Sequence, residues 1–132
     1  YIETGKLRFI NRDFPLNAPA LAGAKLVQCA PEGKRAKFQE VLFKLQSKWA
    51  FTPDYLGGLK KIAKVGGVDE ASFDACMEDE ALEEQVLKVR QDAGENLDIQ
   101  GTPSFFLNGA KLDVKGGIDA FREALNAALA DE

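Results

Sequence analysis

Histidine is absent from all 132 residues of the chain. Histidine general bases, Ser-His-Asp and Cys-His nucleophile systems and histidine metal ligands are therefore excluded. The two cysteines, Cys29 and Cys76, are too few to form a zinc site by themselves, and neither belongs to a Cys-x-x-Cys motif. The residues as they stand carry no obvious catalytic group, and they predict no metal and no cofactor.

An excess of positive charge and long apolar runs are also missing. The formal net charge is −4, which argues against nucleic-acid binding because that requires a basic face. No run approaches the roughly 18 apolar residues that a membrane span requires. A signal peptide and an initiator Met are not present, and the chain opens at Tyr1, which suggests a processed product or a fragment. Its length and its 45% hydrophobic content predict one globular domain.

Apolar residues recur at helical spacing through the middle of the chain and predict a block of about five helices. One amphipathic stripe predicts a helix over residues 34–48, and its members are Phe38, Val41, Leu42, Leu45 and Trp49. Asn17, Asp54, Asp69 and Asp79 are predicted to cap helices, because short polar side chains satisfy the free N–H groups of a first turn.

Strand signals flank this helical block. Residues 6–11 are predicted to form a short strand, and residues 104–107 a second strand of buried character. Asn108-Gly109 predicts a tight hairpin into a third strand, where Leu112 and Val114 alternate with polar residues. A final helix is predicted after Gly116-Gly117.

A proline stands at the entrance of the predicted hairpin, in Gly101-Thr102-Pro103. Proline cannot donate a hydrogen bond to a β-ladder, so it lies at a strand's first residue, on an edge or in a bulge. The cis form is energetically accessible only for a peptide bond that precedes proline. The local sequence leaves two alternatives open, a cis bond held by tertiary contacts and an ordinary trans proline.

In this order and spacing, the segments resemble the DsbA-like branch of the thioredoxin superfamily. The matching segments are residues 1–9, residues 12–16, the helix ending at Cys29-Ala30, the helix from Phe38 to Trp49, and residues 101–109. The resemblance implies an α/β, thioredoxin-like fold with an inserted helical block and without its N-terminal βα portion. Residues 1–132 would form a single DsbA-like domain, with 1–15 and 99–132 as the thioredoxin part and 16–98 as the helical insertion.

The resemblance also implies an activity. Proteins of this branch are thiol-disulfide oxidoreductases that act on cysteines of exported polypeptides in the periplasm or outside the cell. Pro103 matches their cis-proline and Thr102 the preceding position, so both are expected to bind substrate. The Cys-x-x-Cys of the family would lie upstream of Tyr1. The chain alone therefore holds no catalytic residue and is expected to be inactive.

Cys29 and Cys76 have three interpretations. They are two buried free thiols, a catalytic pair, or a structural disulfide that joins two helices of the insertion. Related exported proteins suggest the disulfide, and an oxidising compartment would permit it. We therefore prefer the structural disulfide.

Two other functions stay open beside the oxidoreductase. One is a non-catalytic module that binds extended peptides along the same proline edge. The other is an enzyme of the glutathione-transferase or isomerase kind, which would use an upstream Ser or Cys. The roughly 40 residues encoded before Tyr1, about one strand and one helix, would separate the three. A Cys-x-x-Cys there would indicate the oxidoreductase, and a lone Ser or Cys the glutathione-transferase or isomerase kind. The absence of both would indicate the peptide-binding module.

Two further expectations concern surfaces. Trp49, Phe43 and Phe51 either line a substrate groove or pack the helical block, and we prefer packing. A sheet without its central strand exposes unpaired backbone. We therefore expect the chain to dimerise through the exposed sheet region or to exchange elements.

Overall fold

The structure, a computed structural model, describes residues 1–130. The chain divides into two compact units, residues 12–93 and residues 1–11 together with 94–130. The helices are α1 Ala18–Cys29, α2 Arg35–Lys44, α3 Tyr55–Ala63, α4 Glu70–Glu78, α5 Glu80–Asn96 and α6 Gly117–Ala130, and the strands are β1 Phe106–Leu107 and β2 Ala110–Lys111. Among these described residues, no helix is long and apolar enough to cross a membrane.

The starts of the helices follow from local capping. The side chains of Asn17, Asp54, Asp69 and Asp79 each accept a hydrogen bond from a backbone N–H three residues later, at 2.8–3.0 Å. These bonds satisfy donors that a first helical turn leaves without a partner. The four predicted caps are therefore confirmed. The hydrogen bond to Ser72 lowers the pKa of Asp69 below its usual value.

Helix α2 is shorter than predicted, because it ends at Lys44 and a 3₁₀ turn, Gln46–Lys48, follows. Tertiary packing explains the difference. The buried Trp49 indole donates from Nε1 to the Leu42 carbonyl at 3.0 Å. In a continuing α-helix, that carbonyl would accept from the Gln46 N–H instead.

The hydrophobic core lies in the helical unit. Its most deeply buried large side chains are Leu26 of α1, Phe38 of α2 and Leu59 of α3, and α1 packs against α2, α3 and α4. A 3₁₀ turn, Lys64–Gly66, follows α3 and brings Gly66 against the Phe38 ring. A Cβ at Gly66 would lie 2.6 Å from two ring carbons of Phe38.

Gly66→Ala is therefore expected to lower the free energy of unfolding by about 1–3 kcal/mol, as overpacking of a core does. Gly33→Ala is a matched control, since a Cβ there meets no heavy atom within 4 Å. We expect the control to change stability by less than about 0.5 kcal/mol. Urea unfolding of both variants checks this, and equal stability of the two would contradict the close approach to Phe38.

A half-buried carboxyl gives the helical unit a pH dependence. Burial raises the pKa of Asp13, and the hydrogen bond that Gln28 Nε2 donates to Oδ2 at 3.1 Å only partly offsets this effect. Because the folded state then holds the proton more tightly than the unfolded state, the contribution of Asp13 to stability is greatest below the unfolded pKa. It is lost as the pH rises through the folded pKa.

Asp13→Asn removes this ionisation and retains an oxygen that can accept from Gln28. We expect the variant to have a higher Tm than the wild type at pH 7, because burial opposes ionisation of the wild-type carboxyl in the folded state. The difference should shrink as the pH falls below the ordinary pKa of an aspartate. Thermal unfolding across this range checks the sign, and a lower Tm for the variant at pH 7 would contradict it.

The second unit contains the hairpin and α6. Strand β1 pairs antiparallel with β2, with Phe106 opposite Lys111 and Leu107 opposite Ala110. Asn108 and Gly109 have φ angles of 49° and 86°, as a two-residue type I′ turn requires. The predicted turn and the pairing of its two flanks are therefore confirmed, but the predicted strand bounds are wrong. Each strand has two residues, so Ser104 and Phe105 precede β1, and Leu112 and Val114 lie outside β2.

The strand predicted over residues 6–11 is wrong. These residues form no strand, and the only sheet in the described range 1–130 consists of β1 and β2. Phe9 and Ile10 remain exposed. A strand needs a neighbour that accepts and donates its backbone hydrogen bonds, and no described element supplies one to this segment.

Candidate functional site

The segment Gly101-Thr102-Pro103 runs along the surface just before β1. All three residues are exposed. The Thr102–Pro103 peptide bond is cis, one of the two forms that the sequence leaves open. The segment therefore meets solvent at the entrance of the hairpin.

Short hydrogen bonds hold both flanks of this segment. Ser104 Oγ donates to the Gly101 carbonyl at 2.7 Å, and Lys111 Nζ donates to the Asp98 carbonyl at 2.9 Å. The Leu112 N–H donates to the Phe105 carbonyl at 2.8 Å and extends the hairpin toward Pro103. Thr102 and Pro103 therefore lie between two stretches of backbone that these hydrogen bonds hold in place.

Helix α6 packs against the residue that precedes β1. The Phe105 and Phe121 rings meet edge to face, with centroids 4.6 Å apart and planes inclined by 87°, an arrangement that aromatic pairs favour. Packing of this kind positions the start of β1. The exposed segment in front of it is therefore presented by a supported strand.

The backbone of Thr102 forms no hydrogen bond with any residue in the range 1–130. Exposed backbone groups of this kind can pair with an extended peptide that adds to the edge of a sheet. The residues from 101 to 103 contain no thiol, carboxyl or amine. The segment is therefore suited to binding a polypeptide and cannot perform chemistry by itself.

Cys29 and Cys76 form a disulfide bond, with an S–S distance of 2.01 Å and a Cα–Cα distance of 6.2 Å. It joins the last residue of α1 to α4. The interpretation as two free thiols is therefore wrong. The structural role of the bond stays a prediction.

A buried lysine beside the disulfide was missed from the sequence. Lys25 is only 2% exposed, and its Nζ donates to the Met77 carbonyl at 2.9 Å and pairs with Glu83 at 3.1 Å. A signal was available, because Lys25 precedes Cys29 by one helical turn and shares the inward face of α1. Its ammonium joins α1 to the C-terminal end of α4 and the first turns of α5.

The three aromatic residues at the end of α2 and in the connection to α3 differ in their exposure. Trp49 is buried in the core as expected, whereas Phe43 and Phe51 are 66% and 78% exposed. The preferred interpretation, that all three pack the helical block, is therefore wrong for both phenylalanines.

No group of three or more potential ligands for a metal ion occurs in the part of the chain that the structure describes.

Comparison with known proteins supplies the family. The profile of a family described as Thioredoxin matches residues 1–127. The chain belongs to the thioredoxin family. Its α/β, thioredoxin-like fold with an inserted helical block is confirmed, and the exposed proline segment belongs to this fold.

Curated relatives of this thioredoxin-family chain carry the name "Putative protein-disulfide oxidoreductase". The relative from Rickettsia typhi is 28% identical to this chain, and the match covers the whole chain and 49% of the relative's length. The relatives from Rickettsia prowazekii and Rickettsia felis are each 27% identical to this chain, and each match covers the whole chain and 48% of the relative's length. The chain thus spans about half the length of the curated relatives that it matches. No solved structure matches it.

Proposed function

We propose that this thioredoxin-family chain is part of a DsbA-like thiol-disulfide oxidoreductase that acts on cysteine-containing polypeptides. The observation that carries the proposal is the exposed Thr102–Pro103 segment, whose backbone is open to an extended peptide. The names of the relatives support the same chemistry. Thr102 and Pro103 are the substrate-binding residues.

The proposed chemistry is an exchange of one disulfide for another. A substrate thiolate attacks one sulfur of the enzyme's disulfide, forms a mixed disulfide and releases the other enzyme sulfur as a thiolate. A second substrate thiolate then attacks the substrate sulfur of the mixed disulfide. The substrate leaves oxidised, and the enzyme pair is reduced by the same two electrons.

This chemistry needs a reactive cysteine pair, which the resemblance places in a Cys-x-x-Cys motif, and residues 1–132 contain no such motif. Cys29 and Cys76 are 47 positions apart and join two helices of the helical unit. We therefore assign the reactive pair to residues outside this sequence and the Cys29–Cys76 bond to a structural role. The bond is of a kind that persists in oxidising compartments, which supports a periplasmic or secreted location.

Binding of an unfolded polypeptide tests the proposed role of the segment. Fluorescence anisotropy with a labelled polypeptide whose cysteines are alkylated measures affinity without disulfide exchange. Thr102→Pro removes a backbone N–H, and we expect it to weaken binding by about threefold to tenfold, the effect of one hydrogen bond. Thr102→Val is the matched control, because it keeps this N–H and should bind like the wild type.

Two results would contradict the assignment of this segment. One is unchanged affinity of Thr102→Pro when its circular dichroism is native. The other is protection from hydrogen exchange by the bound polypeptide that maps away from residues 101–107.

A non-catalytic peptide-binding module is the second candidate. The open backbone at Thr102, together with the absence of a reactive pair from the sequence, favours it. Oxidation of a reduced, unfolded polypeptide by the complete polypeptide, including any residues encoded before Tyr1, separates the two. Turnover supports the oxidoreductase, and binding without turnover supports the module.

We also propose a homodimer through the exposed sheet region. Within residues 1–11 and 94–130 no side chain is buried, and each strand of the hairpin has one partner. Pairing of such an edge with a second copy would cover it. Light scattering across a wide concentration range is expected to show the mass of a dimer, and a monomer throughout would overturn the proposal.

A further inference from the structure

The end of α2 and the connection that follows it carry two exposed phenylalanines and two lysines within residues 43–51. Phe43 and Phe51 are 66% and 78% exposed, and Lys44 and Lys48 are exposed between them. We call these four residues the turn patch. Solvent exposure of two large aromatic rings so close in sequence has no explanation in the packing of the helical unit.

The backbone of this connection is firmly held. Trp49 packs into the core and its indole bonds to the Leu42 carbonyl at 3.0 Å. The Lys48 N–H donates to the Leu45 carbonyl at 2.8 Å, and the Ala50 N–H to the Gln46 carbonyl at 2.8 Å. In the turn patch, Phe43 and Lys44 therefore lie at the end of α2, and Lys48 and Phe51 lie in the ordered connection that follows.

The charge of the turn patch is opposite to that of the whole molecule. Residues 43–51 contain two lysines and no acidic residue, whereas the chain has a formal net charge of −4. Neither Lys44 nor Lys48 forms a salt bridge with a residue in the range 1–130. Of the flanking acids, Asp54 caps α3, and Glu40 pairs with Lys37 at 2.8 Å and is also attracted by Lys44.

We propose that the turn patch docks on the surface of an anionic lipid bilayer. Exposed aromatic side chains can enter the apolar boundary below the lipid headgroups, and neighbouring lysines are attracted to anionic lipid. A groove that binds a peptide would place these rings in a recess, where they would be largely covered. This docking does not depend on the proposed thiol chemistry.

Flotation with lipid vesicles tests the proposal on the purified chain. We expect binding to vesicles of phosphatidylcholine mixed with phosphatidylglycerol, and much less to pure phosphatidylcholine. Lys44→Gln/Lys48→Gln should weaken binding by about tenfold to thirtyfold. Phe43→Ser/Phe51→Ser should weaken it by about tenfold or more. Salt should weaken the wild type but have a smaller effect on the lysine variant.

Exposed residues in the other unit provide matched controls. Ile118→Ser and Lys115→Gln remove an exposed apolar group and an exposed charge, and both should bind vesicles like the wild type. Failure of the wild type to float, or equal binding by the Phe43→Ser/Phe51→Ser variant, would overturn the proposal. Self-association of the wild type that the Phe43→Ser/Phe51→Ser variant abolishes would also overturn it. Capture of a poly-glutamate peptide in preference to vesicles would do the same.

Discussion

Replacement of Cys29 and Cys76 by alanine is expected to lower the free energy of unfolding by about 3–4 kcal/mol. The bond closes a loop with a sequence separation of 47. In the chain-entropy treatment, a cross-link of this span stabilises the fold by about 4 kcal/mol. For a domain of this size, the Tm should fall by roughly 10 °C.

Urea unfolding of the double variant measures this loss. The wild type after reduction is a matched control, because it has the native composition and lacks only the bond. Both should show the same lower midpoint, while the circular dichroism of each remains helical. A double variant as stable as the oxidised wild type would contradict a structural role for the bond and leave a redox role for the two cysteines.

Lys25→Ala is expected to cost about 3 kcal/mol, the second largest effect. Removal of one partner from a buried ion pair costs about 3–5 kcal/mol, and we expect the lower end because the Glu83 side chain is 46% exposed and can rehydrate. The variant also leaves the Met77 carbonyl without the ammonium that bonds to it at 2.9 Å. That carbonyl lies at the negative end of the α4 dipole, where a cation is stabilising.

Two further variants separate charge from packing. Lys25→Met removes the same charge but keeps the packing of the aliphatic stem, so it should lose less stability than Lys25→Ala, which also leaves a cavity. Lys88→Ala removes an exposed lysine that pairs with Asp92 at 3.1 Å, and it should cost less than about 0.5 kcal/mol. Denaturant unfolding ranks the three, and a Lys25→Ala variant no weaker than Lys88→Ala would contradict a structural role for the buried ammonium.

Local signals account for the elements that the sequence predicted well. The caps at Asn17, Asp54, Asp69 and Asp79 involve neighbours three residues away. The Asn108-Gly109 turn likewise depends on the left-handed preference of two adjacent residues. Such interactions are complete within one turn, so the residue types suffice to predict them.

The candidate site was named from the sequence for a different reason. Thr102 and Pro103 stand in a short motif whose place in a family pattern is recognisable, and the motif precedes the hairpin that presents it. The exposure of the segment and the open backbone of Thr102 were not readable from the motif. They depend on Phe121 of α6 and on Lys111 of β2.

The sequence by itself determined the helix starts, the hairpin turn and the identity of the proline segment, because each depends on residues adjacent in the chain. Only the tertiary structure decided that residues 6–11 form no strand, that Lys25 is buried, and that Phe43 and Phe51 face solvent. Strand pairing, charge burial and exposure depend on groups distant in sequence, and the free energy of each is set by the partner that folding brings beside it.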